Sequence, residues 1–262
     1  MQKKMLNTEK PIIFAQENNE GTFRYKMDEG LAFGLGCFET ILIKDKPYFL
    51  EEHLNRLNQS LQWMGLNSTV FTDTVEAFIH SHSFKNVAFK LIVTEKNQLA
   101  TVRPIPYTLQ DYRTGKRVAI SQVVKSQHAQ LIYHKTLNYG ENILEIRQAN
   151  KAGYDDCLFF NGQGHVTESA IANLFIIQDG QIMTPPHSDG LLPGIIRDKV
   201  MEHFNVKEMH INYERLQSCE GAFLTNSVMG AMPISQIEER KLPRHPLFVE
   251  VIHFLGDMIP KI

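Results

Sequence analysis

The run Phe38-Glu39-Thr40-Ile41-Leu42-Ile43, then a stretch of helical spacing, then Val87-Ala88-Phe89-Lys90-Leu91-Ile92-Val93 commit this chain to a mixed α and β fold. Both runs are rich in β-branched and aromatic residues and read as strands. Between them, residues 51–65 place Leu54, Leu57, Leu61 and Met64 at helical spacing, with acidic residues in the opening turn and Gly65 at the stop. A second helix is expected over Thr72–Ser81. Further along, 117–124, 156–160, 173–178 and 221–225 read as strands, and 142–152, 194–204 and 246–255 as helices. These elements do not alternate with the regularity of a doubly wound sheet, so the second half is expected to hold a mixed or barrel-like sheet. A polar, Pro-containing stretch over 103–116 is the candidate linker. The expected fold class is α/β (α+β) in two domains, a smaller N-terminal α/β domain over 1-112 and a larger barrel-like α/β domain over 113-262.

Composition narrows the partners. A chain of 262 residues with 43% hydrophobic and 21% charged residues can bury a sizeable core and is far from the composition of disordered chains. Its net charge of -2, with basic residues spread along the sequence, offers no footprint for nucleic acid or an anionic membrane, which leaves a small molecule as the expected partner. Cys37, Cys157 and Cys219 are odd in number and lack Cys-x-x-Cys spacing, so neither a zinc site nor a disulfide framework is expected, and a reducing cytoplasm fits. Residues 1–11 are polar with no apolar h-region, and no later run could span a bilayer, so secretion and membrane insertion are not expected.

Familiar motifs are silent. Gly34-Leu35-Gly36 resembles the start of a dinucleotide loop, but Glu39 stands where a third glycine is needed for close helix packing. There is no G-x-S-x-G elbow, H-E-x-x-H pair or G-x-x-x-x-G-K-[ST] loop. His80 and His82, without a neighbouring ligand set, read as exposed histidines at a helix end.

The informative residues lie between His134 and Arg197. They are His134-Lys135-Thr136-Leu137-Asn138-Tyr139, Val166-Thr167-Glu168-Ser169-Ala170-Ile171-Ala172-Asn173-Leu174-Phe175, Thr184-Pro185-Pro186 and Leu191-Leu192-Pro193-Gly194-Ile195-Ile196-Arg197. In this order and spacing they resemble the signature of the class IV aminotransferases, the fold-type IV pyridoxal phosphate enzymes. The resemblance extends upstream through Gly34-Leu35-Gly36-Cys37-Phe38-Glu39-Thr40 and His53-Leu54-Asn55-Arg56-Leu57, from about Phe33 to Pro233.

The resemblance implies pyridoxal 5'-phosphate as cofactor and a role for each matching residue. Lys135 matches the Schiff-base lysine, the catalytic residue. Its amine adds to an aldehyde and afterwards serves as a mobile base, a task that needs a neutral amine and therefore burial and nearby positive charge. Standing alone it would read as a solvated surface lysine. Glu168 matches the carboxylate that keeps the pyridine nitrogen protonated so that the ring can accept electrons. Asn173, five residues on, is assigned a loop-tying role beside the cofactor. Gly194, Ile195 and Ile196 open a helix whose N–H groups and positive dipole end would hold the phosphate. The family usually has threonine where Ile196 stands, which leaves that contact to the backbone. Arg56 and Ser227 match two further phosphate contacts. On a helical projection Arg56 shares a face with Ser60 and Trp63 and not with Leu54, Leu57 and Leu61. Outside the motif it would be an exposed helix arginine, and Ser227 a serine capping the turn after a strand. Phe38, Tyr139 and Met229 are weaker candidates as pocket liners, and Arg103 as a contact for a substrate carboxylate in place of a paired Arg-Gly motif of some relatives. No metal ligand is expected.

Two reactions share such a site. Phe223-Leu224-Thr225-Asn226-Ser227-Val228-Met229-Gly230-Ala231-Met232-Pro233-Ile234 looks like the aminodeoxychorismate lyase subgroup, as does Lys135-Thr136-Leu137-Asn138-Tyr139, which implies cleavage of 4-amino-4-deoxychorismate to 4-aminobenzoate and pyruvate in folate biosynthesis. The alternative is an aminotransferase acting on branched-chain or D-amino acids, whose members tend to carry Thr-x-x-Glu-x-x-Pro at that turn. A non-catalytic binding protein on the same fold is a third reading, against which the presence of Lys135, Glu168 and Arg56 stands. The family also implies a homodimer.

Overall fold

The computed structural model describes the backbone of residues 10–13 and all of residues 25–259; most of the polar segment 1–11 considered above lies outside them. The described residues form two compact units. One runs up to Pro106 and takes in Lys135–Asn138, and the other comprises Tyr107–His134 and the residues from Tyr139 onward. The division at 112/113 read from the sequence contains no such return of Lys135–Asn138. Its cause is backbone pairing of Lys135–Leu137 with Gly36–Phe38.

The first unit contains β1 (Lys10–Ile13), α1 (Glu29–Phe33), β2 (Gly36–Ile43), α2 (Leu50–Trp63), α3 (Thr72–Ser81), β3 (Val87–Thr94) and β4 (Gln98–Pro104). Its sheet has the order β1-β4-β3-β2 and is antiparallel throughout. Leu50, Leu54, Leu57 and Leu61 of α2 bury one stripe, with Val75 and Ile79 of α3, against Ile41, Phe89, Leu91 and Val93 of the sheet. Each such side chain removed from water contributes about 2 kcal/mol. Met64, which the spacing placed in the helix, caps it instead, and Gly65 turns the chain away at φ 72°. Asp28 caps α1 by accepting from Leu31 N, and accepts also from Thr94 Oγ1 at 2.5 Å, tying the helix to the end of β3.

The second unit contains α4 (Leu109–Thr114), β5 (Lys116–Lys125), α5 (Gly140–Lys151), β6 (Asp156–Asn161), β7 (Val166–Ser169), β8 (Asn173–Gln178), β9 (Gln181–Thr184), α6 (Ile195–His203), β10 (Val206–Glu208), α7 (Tyr213–Ser218), β11 (Gly221–Asn226), β12 (Gly230–Ile237), β13 (Arg240–Lys241) and α8 (Pro246–Leu255). Its barrel-like mixed sheet has the order β10-β9-β8-β11-β12-β5-β6-β7, with β13 beside β12. The pairings β12–β5, β5–β6 and β9–β10 are parallel and the others antiparallel. Phe175, Phe223 and Phe248 carry the core from β8 through β11 to α8, the first two rings stacked at 4.8 Å.

The stretch 103–116, the candidate linker, contains the break between the two units at Pro106/Tyr107 and also carries regular structure. It holds the end of β4, the start of β5 and, between them, α4, closed by a reciprocal capping box in which Thr108 and Asp111 satisfy each other's backbone N–H. Tyr112 in α4 is buried and donates its hydroxyl to Met229 O at 2.7 Å. Polar composition there reflects capping of a short helix. Among the described residues no helix is long and apolar enough to cross a membrane.

Candidate active site

In the first unit, β2 brings Cys37 and Glu39 to one face and Phe38 to the other, because side chains alternate along a strand. The segment Lys135–Asn138 runs alongside. Phe38 N donates to Lys135 O, and Leu137 N to Gly36 O, each at 2.9 Å, and Cys37 pairs with Thr136 as an antiparallel bridge. Lys135 is therefore held by the backbone of a strand remote in sequence. Its Nζ lies 4.6 Å from the centroid of the Phe38 ring, and Lys90 Nζ of β3 lies at the same distance from that ring. Gly36 and Gly34 permit this approach. A Cβ on Gly36 would sit 2.6 Å from Val93 O, and one on Gly34, already at φ 75°, would sit 2.7 Å from Asn138 Oδ1.

Arg56 projects from α2 onto Glu39. Its Nε donates to Oε1 and its Nη2 to Oε2, both at 2.7 Å, and His53 Nδ1 meets Oε2 at 2.6 Å. Glu39 and His53 are fully buried and Arg56 is 14% exposed. Burial opposes the charge on Glu39, but Arg56 and His53 outweigh it and hold the carboxyl well below the ordinary range. Burial lowers the pKa of His53, against the pull of Glu39, and keeps the imidazole neutral. Of the face shared by Arg56, Ser60 and Trp63, Ser60 is buried whereas Trp63 is 48% exposed. Arg103, on β4 opposite Ala88, is half-buried.

In the second unit, Glu168 of β7 accepts at Oε2 from Asn173 Nδ2 at 3.2 Å and from Leu192 N at 3.3 Å. Asn173 Nδ2 donates also to Leu192 O at 2.9 Å. Asn173 thus ties the corner between β7 and β8 to the irregular segment leading into α6. Tyr139 Oη and Asn142 Nδ2 both donate to Ala170 O, and Ser169 Oγ donates to the buried Asp156, which fixes the same corner from its other side. Gly194 is the N-cap of α6 and, having no side chain, offers no cap to the first N–H groups of that helix. A Cβ at Gly194 would fall 1.8 Å from Asn173 Oδ1. Ile195 and Ile196 are buried and contribute only backbone to that end. Ser227 sits in the turn between β11 and β12, where Asn226 Oδ1 accepts from Val228 N and Met229 N. Beside it Thr225 Oγ1 is buried with no hydrogen-bond partner. Met229 is wholly buried.

Arg197, the last residue of the motif, is 2% exposed, and its Nη2 donates to Pro185 O at 3.0 Å and to Glu208 Oε1 at 2.5 Å. It staples α6 to the segment before it and to β10. Within each unit the predicted residues gather, Phe38 with Lys135 in the first and Glu168, Asn173 and Gly194 in the second. Glu39, His53 and Lys90 were not singled out as site residues by the sequence. A charge inside each of two apolar strands, Glu39 and Lys90, was the available signal.

The model of the family described as amino-transferase class IV matches residues 36–237. The chain belongs to the class IV aminotransferase family. Among the relatives of this family member, a provisionally named branched-chain-amino-acid aminotransferase of Methanocaldococcus jannaschii is 28% identical over 239 residues, covering 81% of this chain and 82% of that one. The aminodeoxychorismate lyase of Bacillus subtilis is 25% identical over 239 residues, covering 81% and 80%. A crystal structure of a provisionally named 4-amino-4-deoxychorismate lyase from Legionella pneumophila superposes with a TM-score of 0.83 at 27% identity, covering 92% of this chain and 97% of that one. The chain shares the fold-type IV architecture with these enzymes.

Proposed function

We propose that this class IV enzyme is a pyridoxal 5'-phosphate-dependent 4-amino-4-deoxychorismate lyase. The residues present fit that cofactor. The α6 N-terminus, opened by Gly194, whose missing side chain lets Asn173 pack against the backbone there, suits a phosphate, and the buried, unpartnered Thr225 hydroxyl supplies an unused donor in the same unit. Glu168, with Asn173 and Leu192 N donating to it, suits a cationic ring nitrogen, and Lys135 is the amine that would carry the aldehyde carbon. Arg56, Ile195, Ile196 and Ser227 are the further phosphate contacts that the family pattern assigns. Phe38, Arg103, Tyr139 and Met229 remain assigned to the substrate.

When bound, the cofactor supplies an electron sink for the pair left behind when a proton is removed. Lys135 Nζ takes the proton from the amine-bearing ring carbon of the substrate. In its protonated form it delivers one to the methylene of the departing enolpyruvyl group, as the carbon–oxygen bond to the ring breaks. Substrate and the two products balance without water or an oxidant, and aromatisation supplies the driving force. Glu168 keeps its negative charge throughout and moves no proton.

The observation that favours lyase over transaminase is the stretch Phe223–Ile234, with Ser227, Gly230 and Pro233 in place of Thr-x-x-Glu-x-x-Pro. The Legionella and Bacillus relatives support it. The Methanocaldococcus relative supports the second reading, transamination of branched-chain or D-amino acids. Three buried free thiols suit a reducing cytoplasm, and the family pattern suits a homodimer. The deciding assay sets pyruvate and 4-aminobenzoate formation from aminodeoxychorismate beside keto acid formation from D-alanine, L-leucine and L-glutamate. Pyruvate appearing without any acceptor keto acid is the expected result. Keto acid formation alone would assign the transaminase.

A further inference from the structure

Away from the residues assigned above, three side chains remote from one another in sequence converge in the second unit. Asp189 closes the 3-10 turn His187–Asp189, His165 ends the hairpin entering β7, and His210 follows β10. One ligand atom from each lies within 4.8 Å of the others. Asp189 is 1% exposed, yet its Oδ2 has no hydrogen-bond partner, and neither has the buried Nδ1 of His165, which lies only 3.4 Å from Asp189 Oδ1. His210 Nδ1 meets the same Oδ1 at 2.8 Å, and the two imidazoles stack at 4.5 Å. A buried carboxylate oxygen and a buried imidazole nitrogen left without partners in one cluster cost stability unless something positive joins them.

We propose that His165, Asp189 and His210 bind a divalent transition ion of the zinc class. Two imidazoles and one carboxylate are the donor set such ions take, whereas magnesium and calcium favour all-oxygen sets. In a tetrahedral site with bonds near 2.0–2.1 Å, neighbouring donors stand about 3.3 Å apart. The His165–Asp189 spacing of 3.4 Å already meets that, and the His210–Asp189 contact opens by about half an ångström as the ion replaces the proton. The scaffold is held in advance. Asn161 donates to Asp189 O at 3.1 Å and accepts from His165 N at 3.0 Å, Val166 N donates to Ile211 O, and His165 bridges to Asn212. His210 is 55% exposed and, with His165, Asn212, Glu214 and Arg215, lines a cavity of about 500 Å³, which admits water as a fourth ligand. The ion would clamp Asp189 two residues before Leu191 and so stiffen the approach to Leu192, whose N–H serves Glu168. The role is structural, and the site stands whether or not the lyase assignment holds.

The test is equilibrium dialysis of the full-length, chelator-treated holoenzyme against zinc chloride in excess magnesium, with cobalt(II) absorption as a second measurement. Expected are one zinc per chain, a visible cobalt(II) ligand-field band, and an affinity at least about tenfold weaker in His210→Ala. The exposed His210 side chain can be truncated without opening the core, and His80→Ala is the unaffected control. Asp189→Asn, with folding checked by circular dichroism, should lose the cobalt band. No retained zinc in the wild type, or retention unchanged in His210→Ala, overturns the proposal.

Discussion

Glu39 and Arg56 are joined by two parallel 2.7 Å hydrogen bonds, a carboxylate on a buried strand gripping the guanidinium of a helix in a fixed plane. An arginine so held is pre-oriented and loses little freedom when it meets a further anion. Removing the carboxylate takes from a largely buried cation its bidentate partner. Glu39→Gln should therefore lower unfolding free energy by about 3 kcal/mol, read as a shift of the urea midpoint. Glu39→Gln combined with Arg56→Met should recover much of that loss, because the stranded charge is gone. A double variant no more stable than the single would show that the two residues are not energetically coupled.

Acid should unfold the chain in two stages traceable to the same cluster. The folded state holds His53 neutral by burial, whereas the unfolded chain takes up that proton near 6.5, so stability falls as pH drops below about 6.5. Glu39 is held ionised far below its ordinary 4.5, so its contribution is complete above about pH 4.5 and is lost as pH falls toward the folded value. Urea midpoints measured between neutrality and pH 4 should decline from about 6.5 and more steeply below 4.5. In His53→Gln the upper stage should shrink, with the remainder coming from His134 and His187, which burial also lowers. An upper stage of undiminished size would assign it to those two histidines.

Elements with strong periodicity were legible in the sequence. α3, β8 and α8 carry the bounds their patterns predict. β12 was missed because Gly230, Pro233 and Ser235 interrupt its run, and the strand is central because its apolar residues are all buried between β11 and β5. β4 escaped notice because Gln98, Thr101 and Arg103 dilute it. Within the candidate site, motif order singled out Lys135, Glu168 and Gly194, and the assignment of Asn173 as a loop tie has a counterpart in its bonds to Leu192 O and Glu168. The Glu39–His53–Arg56 cluster was not legible. It joins a strand to a helix through tertiary packing, and neither propensity nor period reports which charge a buried carboxylate meets.

Gly194 tests the cradle. Alanine there drives a methyl toward Asn173 Oδ1, and the Nδ2 of the same amide donates to Leu192 O, so either the α6 entrance or the Asn173 side chain must move. Gly194→Ala should weaken binding of pyridoxal 5'-phosphate by at least about tenfold and cost about 1–3 kcal/mol of stability. A fluorescence titration of cofactor binding checks the first effect and a thermal melt the second. Undiminished cofactor affinity would remove α6 from the phosphate set.

Lys135 carries the chemistry in the proposed assignment, and Phe38 allows its charge to be separated from its nucleophilicity. Lys135→Arg keeps a cation beside the aromatic ring, 4.6 Å away in the native chain, and leaves the backbone pairing with β2 intact, so the melting temperature should hardly move. A guanidinium is protonated at every accessible pH and cannot add to an aldehyde. Borohydride treatment of the cofactor-loaded variant, followed by peptide mass analysis, should find no modification at position 135, and turnover should fall by at least about a thousandfold. In the native chain the same treatment should mark Lys135 alone. Modification at another lysine, or turnover retained in the arginine variant, would move the catalytic amine elsewhere, with Lys90, also 4.6 Å from the Phe38 ring centroid, the first position to examine.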